Sequence, residues 1–181
     1  MSRASLRLLV TGGVRSGKSA HAESLLADCS NVTYVATGPV ADGDADSEWA
    51  RRVAEHRRRR PTSWRTVEST DLATALADAD GAVIVECLAT WVTALLDESD
   101  AWERPAGEWE AQVEERIAAM IVAWEHAAGP LVAVTNEVGM GVVPAYRSGR
   151  VFRDVLGSVN RRVASVSDRV DLVVAGRVLS L

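Results

Sequence analysis

The segment Gly12-Gly13-Val14-Arg15-Ser16-Gly17-Lys18-Ser19 has the spacing G-x-x-x-x-G-K-[ST]. Glycines at the two ends of such a loop let backbone N–H groups close around a phosphate, and the N-terminus of a following helix adds partial positive charge. The Lys18 ammonium then reaches the outer phosphates of a nucleoside triphosphate, and the Ser19 hydroxyl is a ligand for Mg2+. The competing reading is a glycine-rich turn that happens to precede a helix. The chain holds 19 arginines and one lysine, so only one window can match; composition would supply its other three fixed positions about once in 1,400. A lysine kept where arginine is used everywhere else also asks for a compact ammonium rather than a planar guanidinium. Triphosphate chemistry further needs an acid near the metal, usually at the end of a neighbouring strand. Val83-Ile84-Val85-Glu86 ends in one, so Glu86 is expected to join Ser19 in serving Mg2+ or the nucleotide. The alternative is a solvent-facing strand terminus.

A second chemical candidate is Arg51-Arg52-Val53-Ala54-Glu55-His56-Arg57-Arg58-Arg59-Arg60-Pro61. On a helix, Arg52, Arg59 and Arg60 share the face of His56. Neutral imidazole is a nucleophile as well as a proton carrier, and guanidinium groups around it could neutralise the oxygens of a phosphorus under attack. The local pattern leaves three readings open: a nucleophile, a simple anion site, and a solvated or nucleic-acid-binding face. His21, in the helix after the phosphate loop, and His126, at the end of a long helix, are weaker candidates.

The elements that must position these groups follow from periodicity and punctuation. Apolar runs predict strands at Leu6–Thr11, Val32–Ala36, Trp64–Val67, Ala82–Glu86, Leu131–Thr135 and Val170–Ala175, the last closing the series. Helices are predicted from Lys18 to about Ala27, from a Ser47 cap to Arg60 with Pro61 as the stop, and over Asp71–Ala79 capped by Thr70 or Asp71. Others are predicted over Leu88–Leu96, Glu108–Ala127 and Phe152–Val166. Thr37–Asp46 and Asn136–Gly149 read as loops and Asp97–Gly107 as a polar insertion. Continuous apolar strands alternating with helices indicate an α/β fold, a mostly parallel sheet with helices on both faces.

Composition agrees with this. The chain has 181 residues, 48% hydrophobic and 25% charged, with net charge −5. That suits one domain spanning residues 1–181 and excludes a disordered chain. Two cysteines, Cys29 and Cys87, are too few for a disulfide scaffold, so a reducing, cytoplasmic setting is expected. No apolar run approaches the ~20 residues of a membrane span, and Leu6–Val10 is too short for a signal-peptide core. The acidic balance argues against nucleic acid as partner. An NTP-driven nucleic-acid protein and a nucleotide sensor without turnover are the other classes. Neither accounts for a lone histidine within the cationic run as well as a covalent carrier of a transferred group does.

Taken in order, several segments resemble the bifunctional adenosylcobinamide kinase / adenosylcobinamide-phosphate guanylyltransferase family of cobalamin biosynthesis. They are Thr11–Ser19, Tyr34-Val35-Ala36-Thr37-Gly38, His56-Arg57 through Pro61, Trp64–Glu68 and Glu86-Cys87-Leu88. Thr135-Asn136-Glu137-Val138-Gly139-Met140-Gly141-Val142-Val143-Pro144, Phe152-Arg153-Asp154, Gly157 and Asn160 complete the set. The resemblance implies a RecA-like P-loop NTPase fold and a homotrimer. It implies phosphorylation of adenosylcobinamide by ATP or GTP, then transfer of GMP from GTP, through a histidine, to adenosylcobinamide phosphate. By position His56 is the guanylylated nucleophile. Gly12, Gly13, Val14, Arg15, Ser16, Gly17, Lys18, Ser19, Thr37, Gly38, Pro39, Arg57, Arg58, Arg59, Arg60, Glu68 and Glu86 line the nucleotide site. Asn136–Gly141 is expected either to contact substrate or a neighbouring subunit or to be a structural loop. The chain departs from the family pattern at Ala89 and Ala94, where Thr and Asn are usual, and in having Glu55 where some members have a second histidine.

Overall fold

The computed structural model describes residues 6–38 and 48–181, with backbone only for Glu48, Trp49, Arg52, Val53, His56 and Arg59. Six strands run parallel: β1 (Arg7–Gly12), β2 (Val32–Ala36), β3 (Arg65–Glu68), β4 (Ala82–Glu86), β5 (Leu131–Asn136) and β6 (Arg169–Val174). A seventh, β7 (Arg177–Ser180), lies antiparallel on β6, giving the order β3-β2-β4-β5-β1-β6-β7. The helices are α1 (Lys18–Leu25), α2 (Glu48–Arg59), α3 (Leu72–Ala77), α4 (Leu88–Glu98), α5 (Ala106–His126) and α6 (Arg147–Ser165).

Because successive strand side chains point to opposite faces, each apolar run feeds two cores. Leu9, Val35, Val83, Val85, Leu131 and Ala133 pack under α3, α4, α5 and α6, where Trp91, Trp124 and Leu156 are fully buried. Leu8, Val10, Tyr34, Ile84, Val132 and Val134 face the other way, against Ala22 of α1, Leu26 just after it, and Trp64. The parallel sheet with helices on both faces is therefore as expected.

Three expectations needed correction. The strand at Val170–Ala175 does not close the chain: Ala175 (φ 49°) and Gly176 (φ 75°) turn it back as β7. Positive φ at both central residues is what a tight hairpin requires, but Ala-Gly lacks the usual Asn-Gly or Asp-Gly signal. The polar insertion Asp97–Gly107 is a short turn. In it α4 runs to Glu98, α5 starts at Ala106, and Ala101 between them is wholly buried. Third, α6 starts at Arg147 rather than Phe152, because Gly149 and Arg150, which read as loop, are taken into the helix. For α3 the cap is Asp71, whose carboxylate accepts from Thr74 N (3.2 Å) and Thr74 Oγ1 (2.8 Å). Those bonds hold its pKa below the usual carboxylate value. The expected cap Ser47 and the stretch 39–46 lie outside the described residues.

Arginine's planar fork explains part of the arginine excess. Arg7 Nε and Nη1 donate to the carbonyls of Trp124 (2.8 Å) and Gly129 (2.9 Å), and Nη2 to Ala127, closing the end of α5. Arg147 does the same for the carbonyls of Ala101, Trp102 and Arg104 in the α4–α5 turn. A single ammonium could not span three fixed acceptors in this way.

Candidate active site

At the C-terminal end of β1 the backbone bends into residues 13–17 and enters α1 at Lys18. Gly17 is the N-cap, in the left-handed region at φ 97° and ψ 3°, where a side chain would be strained. No side chain caps this helix start, so its first N–H groups stay directed at the loop, as an anion site needs. Gly12 meets a different constraint. A Cβ there would lie 2.4 Å from the Val173 carbonyl oxygen and 2.8 Å from Ser16 Oγ. The loop is held from the same side by the β6–β7 turn, whose Gly176 N donates to Ser16 O at 2.8 Å. Within the loop, the buried Lys18 donates from Nζ to Gly13 O at 3.1 Å.

Register explains why Glu86 meets this loop. Ala82 and Ile84 face the α1 side of the sheet, and two residues further Glu86 faces it too. Ser19 Oγ donates to Glu86 Oε1 at 2.9 Å. The strand end expected to supply an acid therefore delivers it to the hydroxyl that follows the lysine. Ala36 stands in register between Glu86 on β4 and Glu68 on β3, so three neighbouring strands end together. Thr37, wholly buried, ties these ends together. Its N donates to Glu86 O (3.3 Å), its Oγ1 donates to Cys87 O (2.7 Å), and the Oγ1 lies 2.7 Å from Thr90 Oγ1. The Thr37 side chain is thus a strut between the strand ends. Cys87, in the same knot, has its thiol pKa pushed up by burial and by the nearby Glu86 charge.

The cationic segment forms α2 and the residue after it, and its arginines are not equivalent. Arg57 Nη2 donates to Glu68 Oε1 at 2.7 Å. Arg60 Nη1 donates to Thr66 Oγ1 at 3.2 Å, and its guanidinium carbon lies 3.2 Å from the centroid of the Tyr34 ring. Burial lowers the Arg60 pKa, with partial compensation from Tyr34, Glu23 and Glu86. Burial, then the Glu86 charge, raises that of Tyr34 against the opposing influence of Arg60. Arg58 is exposed. The side chains of His56 and Arg59, and all of Pro39, lie outside the described residues.

Lys18, Ser19 and Glu86 are thus joined at one strand edge with the Arg60–Tyr34 contact beside them, and the Arg57–Glu68 pair caps the neighbouring strand. Sequence reasoning missed Tyr34, the platform for Arg60, and Asp171. On β6, Asp171 pairs in register with Val10 and so faces α1. It is buried and approached by His21 Nε2 (2.8 Å), Arg169 Nη2 (2.9 Å) and Ser180 Oγ (2.7 Å). Burial would raise the Asp171 pKa; the bonds from His21 and Ser180, with Arg169, outweigh it and leave it lowered. The available signal was an acid at the centre of the apolar run Arg169-Val170-Asp171-Leu172-Val173-Val174.

A parallel sheet whose first strand opens into a glycine-rich loop, a lysine-led helix and a hydroxyl–acid pair defines a P-loop nucleotide-binding protein. Solved structures of that class share the fold. A prototypical ATPase from the type III secretion system of pathogenic bacteria aligns with TM-score 0.57, 14% identity and 93% coverage of this chain. The assembled ATPase EscN of enteropathogenic Escherichia coli aligns with TM-score 0.53, 14% identity and 94% coverage. This chain spans only 51% and 43% of those two chains.

Within the class, residues 8–181 match the family model described as cobinamide kinase / cobinamide phosphate guanyltransferase, and the chain belongs to that family. It is 41% identical over 181 residues to the bifunctional adenosylcobalamin biosynthesis protein CobU of Salmonella typhimurium, covering 94% of this chain and 97% of that protein. The Escherichia coli CobU is 43% identical over 180 residues, again covering 94% and 97%. The Pseudomonas aeruginosa protein CobP is 40% identical over 176 residues, with 94% of each chain covered.

Proposed function

We propose that this chain carries out both reactions of its family within one domain. It phosphorylates the aminopropanol hydroxyl of adenosylcobinamide with ATP or GTP. It then transfers GMP from GTP, through His56, to adenosylcobinamide phosphate, giving adenosylcobinamide-GDP. The observation that carries this reading is the Arg60–Tyr34 contact. It anchors the end of the histidine-bearing helix on the sheet face that also holds Glu86 and Ser19, so one triphosphate can be within reach of both the phosphate loop and α2.

In the kinase step the substrate hydroxyl oxygen attacks the γ-phosphorus, its proton passes to solvent, and the nucleoside diphosphate leaves. Lys18 Nζ, released from Gly13 O, and the N–H groups of residues 13–19 take the charge that develops on the phosphate oxygens. In the guanylyl step a neutral ring nitrogen of His56 attacks the α-phosphorus of GTP. A P–N bond forms as the bond to pyrophosphate breaks, and the same lysine and loop amides hold the departing charge. An oxygen of the corrinoid phosphate then attacks that phosphorus, the P–N bond breaks and the ring returns to neutral. Arg57, Arg58, Arg59 and Arg60, with Glu68 and the backbone of Thr37, Gly38 and Pro39, complete the nucleotide pocket in this reading.

Ser19 Oγ and Glu86 Oε1 are hard oxygens from two elements and fit Mg2+. Among the described residues no group of three or more His, Cys, Asp or Glu could hold a metal, and Ser19 and Glu86 are the residues that would hold this one. Mg2+ supplies charge neutralisation at the β- and γ-phosphates when bound. A homotrimer in the cytoplasm, with no nucleic acid partner, completes the proposal. The net charge of −5 supports the absence of a nucleic acid partner, the free cysteines Cys29 and Cys87 support a reducing compartment, and the homotrimer rests on the family resemblance alone. Among the described residues no helix is long and apolar enough to cross a membrane.

Incubation with α-labelled GTP tests the covalent step. An acid-labile, alkali-stable adduct is expected on the wild-type chain and none on His56→Ala. Label retained at wild-type level in that variant would rule out this nucleophile.

A further inference from the structure

The backbone of residues 137–146 is tied down at several points. Glu137 N donates to Gly12 O (3.2 Å), Gly139 N donates to Glu137 Oε1 (2.5 Å), and Arg153 Nη2 donates to Gly139 O (3.0 Å). Arg150 Nη1 donates to both Pro144 O (3.0 Å) and Ala145 O (2.7 Å). Yet this anchored loop turns its apolar side chains outward: Met140 is 81% exposed, Val142 95%, Val143 64% and Tyr146 81%. Residues 138–146 carry no charge in a chain that is 25% charged. Folding gains nothing from that arrangement, and exposed apolar clusters mark contact surfaces.

Two apolar surfaces compete for two kinds of occupant. Val174, Val178, Leu179 and Leu181 are exposed along the β6–β7 edge, where β7 has an open hydrogen-bonding side at the end of the sheet. A strand edge of that kind suits another protein chain. The loop surface is different. Its first residue is bonded to Gly12, where the phosphate loop begins, and the phosphate loop adds a matching exposed apolar side chain, Val14. Beyond its far end, where Pro144 lies against Gly149, Gly149 lines an open groove of about 330 Å³ together with Trp102 and Phe152. Because Glu137 N is bonded to Gly12 O, an occupant of this loop lies beside the phosphate site and can present a group to the γ-phosphate. The second substrate of the proposed reaction does this. It is a broad macrocycle with apolar faces and an amide fringe, and it bears its acceptor hydroxyl on a side arm.

Resting on the kinase and guanylyltransferase reading above, we propose that residues 138–146, with Val14, are the docking surface for the corrin ring of that substrate. Met140, Val142, Val143 and Tyr146 lie against the macrocycle, and the side arm reaches the nucleotide past Gly12. Val142→Asp and Val143→Ser, both at exposed positions, test this with adenosylcobinamide as the probe. The expected result is a rise of about tenfold or more in KM for adenosylcobinamide in Val142→Asp and a smaller one in Val143→Ser. Labelling by α-labelled GTP without corrinoid, and the solution mass by light scattering, stay at wild-type values. An unchanged KM for adenosylcobinamide in both variants overturns the assignment. A lowered mass accompanied by loss of GTP labelling also overturns it, in favour of an interface between copies. A wild-type chain that labels with GTP but never turns over adenosylcobinamide overturns the functional reading along with it.

Discussion

Adjacent glycines of the phosphate motif should respond very unequally to the same substitution. In Gly12→Ala the new methyl would sit 2.4 Å from the Val173 carbonyl oxygen, against an ordinary contact of about 3.5 Å. One of the two must therefore retreat by about 1 Å. Ser16 Oγ, the other close atom, can rotate away, but Val173 cannot, because it is in register with Gly12 on one side and Val178 on the other. Overpacking against a fixed backbone costs about 2–3 kcal/mol, which for a chain of this size lowers Tm by about 5–10 °C. Gly13→Ala meets nothing within 4 Å and should stay within about 0.5 kcal/mol of wild type. Thermal unfolding without nucleotide compares the folds, and the rise in Tm on adding GTP with Mg2+ reads binding by mass action. Gly12→Ala should lose both stability and that rise. A Gly12→Ala protein melting within about 2 °C of wild type, or a Gly13→Ala protein as unstable as Gly12→Ala, would refute the steric reasoning.

Other outcomes follow from the same geometry. Lys18→Ala should lower kcat/KM of both reactions by roughly a hundredfold or more with the far-UV CD spectrum unchanged; near-normal turnover contradicts its role. Arg60→Met removes the cation over the Tyr34 ring and should cost about 1 kcal/mol, or about 2–4 °C in Tm, and an unchanged Tm would deny the contact any weight. For Asp171 the folded pKa lies below the unfolded one, so its carboxylate stabilises the chain above the unfolded value of about 3.9 and stops doing so as pH falls through the folded value. The Tm gap between wild type and Asp171→Asn should therefore hold from pH 7 to 5 and close below about pH 4. A gap that widened in acid would reverse the sign and refute it.

The phosphate loop was legible because its glycines, lysine and hydroxyl are fixed by local backbone geometry, which a single stretch of sequence contains. Glu86 was legible for a similar reason: an acid ending an apolar run lies at a strand end whichever strands flank it. Tyr34 was not, because its role beneath Arg60 depends on β2 lying beside β4 and on where α2 ends. Asp171 needed the pairing of β6 with β1, which alone decides that the acid faces α1 and His21. Thr37 was placed at the nucleotide by resemblance, but its burial against Cys87 and Thr90 comes from a strand crossing that periodicity does not encode. The hairpin to β7 escaped notice because its turn is built from an alanine with positive φ, for which sequence carries no reliable mark.

What makes the site usable for two large substrates is a divergence of helices at neighbouring strands. Strands β1 and β5 are paired from end to end, yet α1, following β1, packs on one face of the sheet while α6, following β5, packs on the other. Their connecting segments, residues 13–17 and 137–146, must therefore part above the strand ends, and crevices of this kind are where open α/β sheets bind ligands. One wall is the polar cradle that we propose takes a triphosphate; the other is the anchored, uncharged loop. The bond from Glu137 N to Gly12 O joins the start of the loop to the strand end where the phosphate loop begins, and so holds the loop beside the cradle. A hydroxyl carried by a body too large to enter the cradle could then still be presented to the terminal phosphate from that loop.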